Sequence, residues 1–160
     1  RAVARLDTDV EVLLVGRGRS EARLRKLASS LDVRVRFEVE VPWSALPELY
    51  RQMDVFCMAC KSRWAGLEFE GLGLVFLEAA SSGVPVLVGD SGGSPETVLQ
   101  GDTGFVVSDV DAIVEGLEIL LSDLPSARRM GARGRQFVKR EFTWERVVER
   151  LYDGFAPHLG

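Results

Sequence analysis

Short apolar runs alternate with amphipathic stretches along most of this chain. Residues 10–16, 54–59 and 84–88 are apolar runs of strand length, and residues 33–39 alternate apolar and charged side chains, as a strand with one wetter face does. Helical patterns separate these runs. The alternation predicts an α/β fold with a Rossmann-like parallel sheet and helices on both faces. Ligands of such sheets bind beyond the carboxyl ends of the strands, so the loops to search for a site are 16–20, 39–44, 60–72 and 89–95.

Capping residues predict where the helices begin and end. A helix over 72–82 is expected to end at Gly83, and Pro125 suits the first turn of a later helix. Three hydroxyl side chains stand where they could accept an amide hydrogen bond at the start of a helix: Ser20, Ser108 and Thr143.

Length and charge narrow the class of protein. The 160 residues predict a single domain, 1–160, and the net charge of −4 argues against nucleic acid as a partner, because phosphate backbones call for clustered Lys and Arg. No apolar run approaches the ~20 residues that a membrane-spanning helix needs. One basic stretch is interpreted as a solvated helix face, with attraction to an anionic membrane as the alternative: Arg128, Arg129, Arg133, Arg135, Lys139 and Arg140.

Cys57 and Cys60 have the spacing of a redox motif. A redox pair usually lies at a helix N-terminus, which lowers the thiolate pKa, whereas Cys57 falls within an apolar run that predicts a buried strand. We therefore interpret the two residues as structural thiols.

Gly16 and Gly18 follow the first strand and open a helix. Position 21 is Glu, so the three-glycine dinucleotide fingerprint is incomplete. Two interpretations stay open: a tight strand-to-helix turn, or a close backbone approach to a ligand.

The segment around Glu70 and Glu78 is the most informative part of the sequence. It places Gly71 and Gly73 at a predicted helix start, where unpaired amides and the helix dipole favour an anion such as pyrophosphate. Ionised carboxylates only accept hydrogen bonds, so each Glu could hold the hydroxyls of a diol. Eight helical residues span roughly 12 Å, the scale of the ribose-to-hexose distance in a nucleotide-sugar.

Spacing alone does not distinguish this pair of carboxylates. Glu40 and Glu48 are separated by the same interval, as are Glu141 and Glu149, but only the pair at 70 and 78 brackets a Gly-x-Gly at a helix start in a ligand-facing loop. The alternative is that both are solvent-facing helix carboxylates.

A chain of ordered motifs resembles the C-terminal domain of the family 4 retaining glycosyltransferases, which have the GT-B fold. The motifs are Glu70-Gly-Leu-Gly-Leu-x3-Glu78-Ala, Ser82-Gly-Val-Pro-Val86, Gly92-Gly-x-Pro-Glu96 and Thr103-Gly104, supported by Asp54-Val-Phe, Met130-Gly131 and Phe142-Thr-Trp144. Within the family, the stretch 61–70, KSRWAGLEFE, resembles the GDP-mannose-dependent mannosyltransferases that act on phosphatidylinositol mannosides.

The resemblance implies a set of residue roles. Glu70 would contact donor-sugar hydroxyls as the catalytic-site carboxylate, and Glu78 would hold the ribose diol. Phosphate and sugar would meet the amides of the helix start, and the base would lie on the loop of Val41 and Trp43. The donor-binding set is therefore Gly16, Gly18, Val41, Trp43, Glu70, Gly71, Leu72, Gly73, Leu74 and Glu78.

The resemblance also implies how the reaction proceeds and what surrounds the chain. Transfer would retain configuration by front-face attack and need no metal or other cofactor, with GDP-mannose as donor and a glycolipid or glycan as acceptor. The whole enzyme would be cytoplasmic, at the inner face of the membrane.

Two parts of the family pattern are expected to be missing here. In the family, a strand and loop with phosphate-neutralising Arg and Lys precede the position of Val3, and an N-terminal acceptor domain precedes that loop. Val39 stands where the family often has Gly.

A rival interpretation comes from residues 89–93, GDSGG, which satisfy the G-x-S-x-G pattern of serine hydrolases. A Ser, acid, His order is formally available with Ser91, Asp109 or Asp111, and His158, but His158 is the third residue from the C-terminal end, where chains commonly fray. The alternative interpretation is that residues 89–93 form a glycine turn in which Ser91 has no catalytic role. A third alternative is a non-catalytic nucleotide-binding module.

Overall fold

The computed structural model describes residues 1–62 and 69–155. Its strands are β1 (Glu11–Val15), β2 (Arg34–Glu38), β3 (Phe56–Met58), β4 (Val86–Gly89) and β5 (Gly104–Val107), and its helices are α1 (Glu21–Ser30), α2 (Leu46–Arg51), α3 (Leu74–Ser81), α4 (Val110–Ser122), α5 (Leu124–Glu141) and α6 (Trp144–Phe155). His158 and most of the segment 61–70 lie outside the described residues.

The strands are parallel, as predicted, but they form two sheets rather than one. β1 pairs with β2, and β4 lies between β3 and β5. β1 and β3 are not paired with each other, and an apolar cavity of about 460 Å³ lies between them. Its walls include Leu13, Leu14 and Val15 of β1 and Phe56, Cys57 and Met58 of β3.

β4 is buried along its whole length and carries the core on both faces. Val86 and Val88 point into one cluster with Phe76 and Ala80 of α3. Leu87 points the opposite way, into a second cluster that α4 and α5 complete. The prediction of helices on both faces is therefore confirmed for the three-stranded sheet, and the alternation of side chains along one strand explains the two clusters.

Helix α5 packs closely against the loop that leads into β4. A Cβ at Gly131 would stand 2.0 Å from the carbonyl oxygen of Gly83, which no real structure accommodates. One turn further along, a Cβ at Gly134 would meet its nearest neighbour at 3.6 Å, an ordinary contact. Only the first of these glycines is required by the packing.

The predicted helix caps are partly correct. Pro125 lies in the first turn of α5, and Thr143 Oγ1 accepts a hydrogen bond from the amide of Arg146 at 3.4 Å. Ser20 precedes α1 without a side-chain cap, because its backbone is already helical. Ser108 does not cap α4; Asp109 does, accepting from the amide of Ala112 at 2.9 Å, and this hydrogen bond keeps the pKa of its carboxyl below the usual range.

The basic residues of α5 behave as the interpretation of a solvated face requires, since all six side chains are exposed. In the described parts of the chain, no helix combines the length and the apolar character needed to cross a bilayer. Cys57 is exposed, so the prediction that it is buried is wrong: its strand borders the cavity between the two sheets.

Candidate functional site

The N-terminus of α3 is opened by Gly73, whose backbone has φ of 75°. That left-handed conformation favours glycine, and a side chain there would also meet the ring of Phe76 at 2.5 Å. The helix therefore starts at Leu74, two residues later than the sequence predicts. The first amides of a helix have no partner one turn earlier, which is the basis of the anion-site prediction; in α3 the amide of Phe76 donates to the carbonyl of Gly73 at 2.9 Å.

Glu70 lies immediately before this helix start. Its side chain packs over the glycine, since a Cβ at Gly73 would stand 3.5 Å from Glu70 Cγ. The main chain of Glu70 is fixed as well: its amide donates to Ser91 Oγ at 3.2 Å, and its carbonyl accepts from the amide of Gly93 at 3.2 Å. The 91–93 turn thus holds Glu70 through its backbone and leaves its side chain at the helix tip.

The 91–93 turn can pack this closely against the backbone of Glu70 and Gly71 only because two of its residues are glycine. A Cβ at Gly92 would stand 1.9 Å from the carbonyl oxygen of Glu70, and one at Gly93 would stand 2.3 Å from that of Gly71. Gly92 also has φ of 56°. Residues 91–93 thus form a glycine turn, which is one of the interpretations that the sequence offers for 89–93, and this turn supports the Glu70 loop directly.

The thiol of Cys60 donates a hydrogen bond to the Glu70 carboxylate, at 3.6 Å between Sγ and Oε2. Burial and the charge of Glu70 both raise the pKa of this thiol, so it stays protonated and remains a donor. Cys57 and Cys60 form no disulfide. Cys60 therefore supports the Glu70 side chain and is a structural thiol, in line with the interpretation from sequence.

Glu78 lies on α3, five residues into the helix. This is just over one turn from the helix start. Tyr50 Oη donates to Glu78 Oε2 at 2.9 Å. Glu70 itself is in the loop, so the helical estimate of the distance between the two carboxylates does not apply.

Glu78 stands where two cavities meet. One, of about 560 Å³, lies among α2, α3, α5 and the start of α6, and the other is the cavity between the sheets. Both are lined by Trp43, Leu46, Tyr50, Leu74 and Glu78. Trp43 is 79% exposed at this shared rim, which leaves its ring free to pack against a ligand. Val41 precedes it by two residues in the same loop and is half-buried.

Gly16 and Gly18 lie at the carboxyl end of β1, beside a separate cavity of about 250 Å³. Gly16 has φ of 120°, and its amide donates to the carbonyl of Glu38, which fits a tight strand-to-helix turn. Open space surrounds the Cβ position of either glycine, as a backbone approach to a ligand would need. Both interpretations of this turn therefore stay open.

Ser91 is 2% exposed and has two partners. Its hydroxyl accepts from the Glu70 amide and lies 3.0 Å from Ser62 Oγ. These contacts favour the glycine-turn interpretation over a hydrolase nucleophile, which must be exposed at the top of its turn. The hydrolase interpretation also needs His158, which lies outside the described residues.

Sequence reasoning missed the residues that support the two carboxylates. Tyr50 and Glu78 are 28 positions apart, and no local pattern indicates that they meet. Cys60 drew notice only through its spacing from Cys57. Among the residues that the structure describes, no group of His, Cys, Asp and Glu could hold a metal ion.

The fold and the site define a class of protein. Parallel strands flanked by helices, with a glycine-opened helix start between two carboxylates, form the Rossmann-like half of a GT-B fold. The model for the family "Glycosyl transferases group 1" matches residues 1–137. The chain belongs to this family.

Similar proteins agree with this assignment. The chain is 44% identical over 145 residues to a "GDP-mannose-dependent monoacylated alpha-(1-6)-phosphatidylinositol monomannoside mannosyltransferase" of Corynebacterium glutamicum, covering 89% of this chain and 38% of the relative. A GDP-mannose-dependent mannosyltransferase of Mycolicibacterium smegmatis is 44% identical over 147 residues, with the same coverage. The chain thus spans well under half the length of these relatives.

Solved structures share the fold. HepE of Anabaena in complex with UDP and glucose superposes with a TM-score of 0.78 at 19% identity, over 98% of this chain and 43% of that one. The catalytic domain of the Helicobacter pylori cholesterol-α-glucosyltransferase superposes with a TM-score of 0.70 at 22% identity, over 87% of this chain and 84% of that one.

Proposed function

We propose that this chain is the donor-binding part of a retaining glycosyltransferase that moves mannose from GDP-mannose to a glycolipid or glycan acceptor. The names of the two mannosyltransferase relatives described above support the donor, and family membership supports the class of reaction. The observation that carries the proposal is the placement of Glu70 and Glu78 on either side of the same helix start.

Each part of the site has a role in this proposal. The diphosphate meets the amides of Gly71, Leu72, Gly73 and Leu74 at the tip of α3, where the helix dipole stabilises negative charge. Glu70 accepts hydrogen bonds from hydroxyls of the transferred sugar. Glu78 holds the ribose diol, and the base packs beside Trp43 and Val41, with Gly16 and Gly18 close to the donor.

The chemistry follows from charge that develops on the leaving diphosphate. Donor groups that already point at this position stabilise that charge without reorganising. The acceptor attacks from the face that the leaving group vacates, so configuration at the sugar carbon is retained. In this proposal no metal takes part, and the amides of the helix start supply part of the charge stabilisation.

We further propose that a strand and loop preceding Arg1 in a longer polypeptide fill the space between β1 and β3. The support is the open edge that each of these parallel strands turns toward an apolar cavity, since unpaired strand edges require a partner. An N-terminal domain would then supply the acceptor site, and the lipid acceptors in the relatives' names support peripheral association of the whole enzyme with the inner face of the membrane.

Titration with GDP tests the donor site. We expect saturable binding that Glu78→Ala weakens about tenfold or more, because a hydrogen bond to a charged group is worth roughly 1.5–3 kcal/mol. Glu118→Ala is the matched control, since Glu118 is an exposed helical carboxylate on α4. Calorimetry with GDP and with UDP measures both affinities.

Three results would count against the proposal. Absence of binding by either nucleotide would remove the donor site, and equal weakening by both variants would remove the role of Glu78. If a longer polypeptide with the upstream domain binds GDP-mannose but transfers no sugar to phosphatidylinositol mannoside acceptors, the chain is a nucleotide-binding module instead.

A further inference from the structure

Tyr50 and Glu78 form a side-chain hydrogen bond between two helices. Tyr50 lies near the end of α2, and its hydroxyl donates to Glu78 Oε2 on α3 at 2.9 Å. α2 and α3 are in contact along this stretch. The bond therefore links the loop that carries Trp43, which leads directly into α2, to the helix that carries Glu78.

The position of the Tyr50 ring is fixed by packing. The residue is 8% exposed, and its ring contacts that of Phe56 edge to face, with centroids 5.6 Å apart. Phe56 in turn contacts Phe76 in the same manner at 6.0 Å, within the core cluster of α3. Because these contacts fix the ring of Tyr50, they also fix the position of its hydroxyl. Tyr50 is therefore preorganised to orient the Glu78 carboxylate.

The bond uses only part of the Glu78 carboxylate. Each carboxylate oxygen can accept about two hydrogen bonds, so Oε1 remains available at the rim that the two cavities share. Burial and the proximity of Glu78 raise the pKa of the Tyr50 hydroxyl well above its ordinary value, so this group stays a donor throughout the physiological pH range. Because the Tyr50 hydroxyl donates to Oε2, it fixes the plane of the Glu78 carboxylate. The direction in which Oε1 points is thereby fixed as well.

We propose that Tyr50 is a positioning residue for the nucleotide, which orients Glu78 so that its free oxygen accepts the ribose diol. This inference rests on the proposed function of Glu78. It adds that recognition of the ribose depends on a second side chain, which acts through Glu78.

The test compares GDP with 2′,3′-dideoxy-GDP, which lacks the diol. We expect Tyr50→Phe to weaken GDP binding about threefold to tenfold and to leave dideoxy-GDP binding unchanged. The effect is smaller than that of Glu78→Ala because Glu78 keeps its charge and loses only its orientation. The phenyl ring keeps the aromatic packing, and thermal unfolding checks that the variant is folded. Tyr152→Phe is the matched control, because Tyr152 is 69% exposed on α6.

A second arm tests the route through Glu78. In a Glu78→Ala background, Tyr50→Phe should have no further effect on GDP binding, because the group that Tyr50 orients is gone. Equal weakening of GDP and dideoxy-GDP by Tyr50→Phe would indicate a merely structural role and overturn the inference. Unchanged GDP binding in Tyr50→Phe, alongside weakened binding in Glu78→Ala, would overturn this inference alone; no binding of GDP by the unsubstituted chain would overturn the proposed function with it.

Discussion

Glu70 and Glu78 are held in place by different means. The backbone of Glu70 is bound by the 91–93 turn, and its side chain is contacted by the Cys60 thiol. Glu78 is part of a regular helix and is oriented by Tyr50. Substitutions in the turn should therefore affect Glu70 through its main chain, while substitutions on α2 should affect Glu78 through its side chain.

Replacing Gly92 tests the support of Glu70. We expect Gly92→Ala to lower the free energy of unfolding by about 2 kcal/mol or more, because the new Cβ meets a backbone oxygen and because positive φ costs an alanine energy. Denaturant unfolding gives the measurement. Gly71→Ala is the control for stability, since open space surrounds that position and its φ is not positive. A stable Gly92→Ala variant would show that the turn does not hold the Glu70 loop.

At the scale of elements, α5 can pack closely against the loop before β4 because Gly131 has no side chain. Gly131 and Gly134 are both buried on the same helix, yet their surroundings differ. The first faces a backbone carbonyl that cannot move without displacing the loop. The second faces a methyl group, a carbonyl and a threonine at ordinary contact distance.

This difference predicts opposite effects of the same substitution three residues apart. Gly131→Ala should destabilise the fold by about 1–3 kcal/mol through overpacking. Gly134→Ala should be neutral or stabilise it by up to about 1 kcal/mol, because alanine is the better helix former. Thermal and denaturant unfolding of both variants make the comparison. Equal destabilisation by the two substitutions would mean that the close contact between α5 and the carbonyl of Gly83 does not distinguish the two positions.

At the scale of the whole molecule, the two sheets lie side by side with an open edge on each. Among the strands of residues 1–62 and 69–155, β4 has partners on both sides, whereas β1 and β3 each have one. Apolar side chains of β1 and β3 face the same cavity. A parallel strand between them would join five described strands into one continuous sheet of six and bury those side chains.

Hydrogen exchange tests this arrangement. In the 160-residue chain, the amides of β1 and β3 that point to the open edge should exchange rapidly, because they have no strand partner. In a longer polypeptide with the upstream segment, the same amides should become protected. The amides of β4 serve as the internal control, since they are paired in both. Unchanged exchange at β1 and β3 would contradict insertion of a strand.

Much of the fold was open to prediction because it depends on local patterns. Apolar runs of strand length mark β1 and β4, strict alternation marks β2, and the glycine-opened segment before Glu78 marks the start of α3. The position of the two carboxylates near one helix tip follows from the same segment. The resemblance to the glycosyltransferase family could also be recognised from the sequence, because each of its motifs is a short contiguous segment.

What the tertiary structure alone decided depends on contacts between distant residues. Tyr50 meets Glu78 across 28 positions, and Cys60 meets Glu70 across ten positions. A third segment, the 91–93 turn, binds the backbone of Glu70. The separation into two sheets is likewise set by which strand edges come within hydrogen-bonding distance. A sequence determines which segments can form strands and helices, because those preferences are local; which segments touch, and so which side chains orient the site, is decided only when the chain packs.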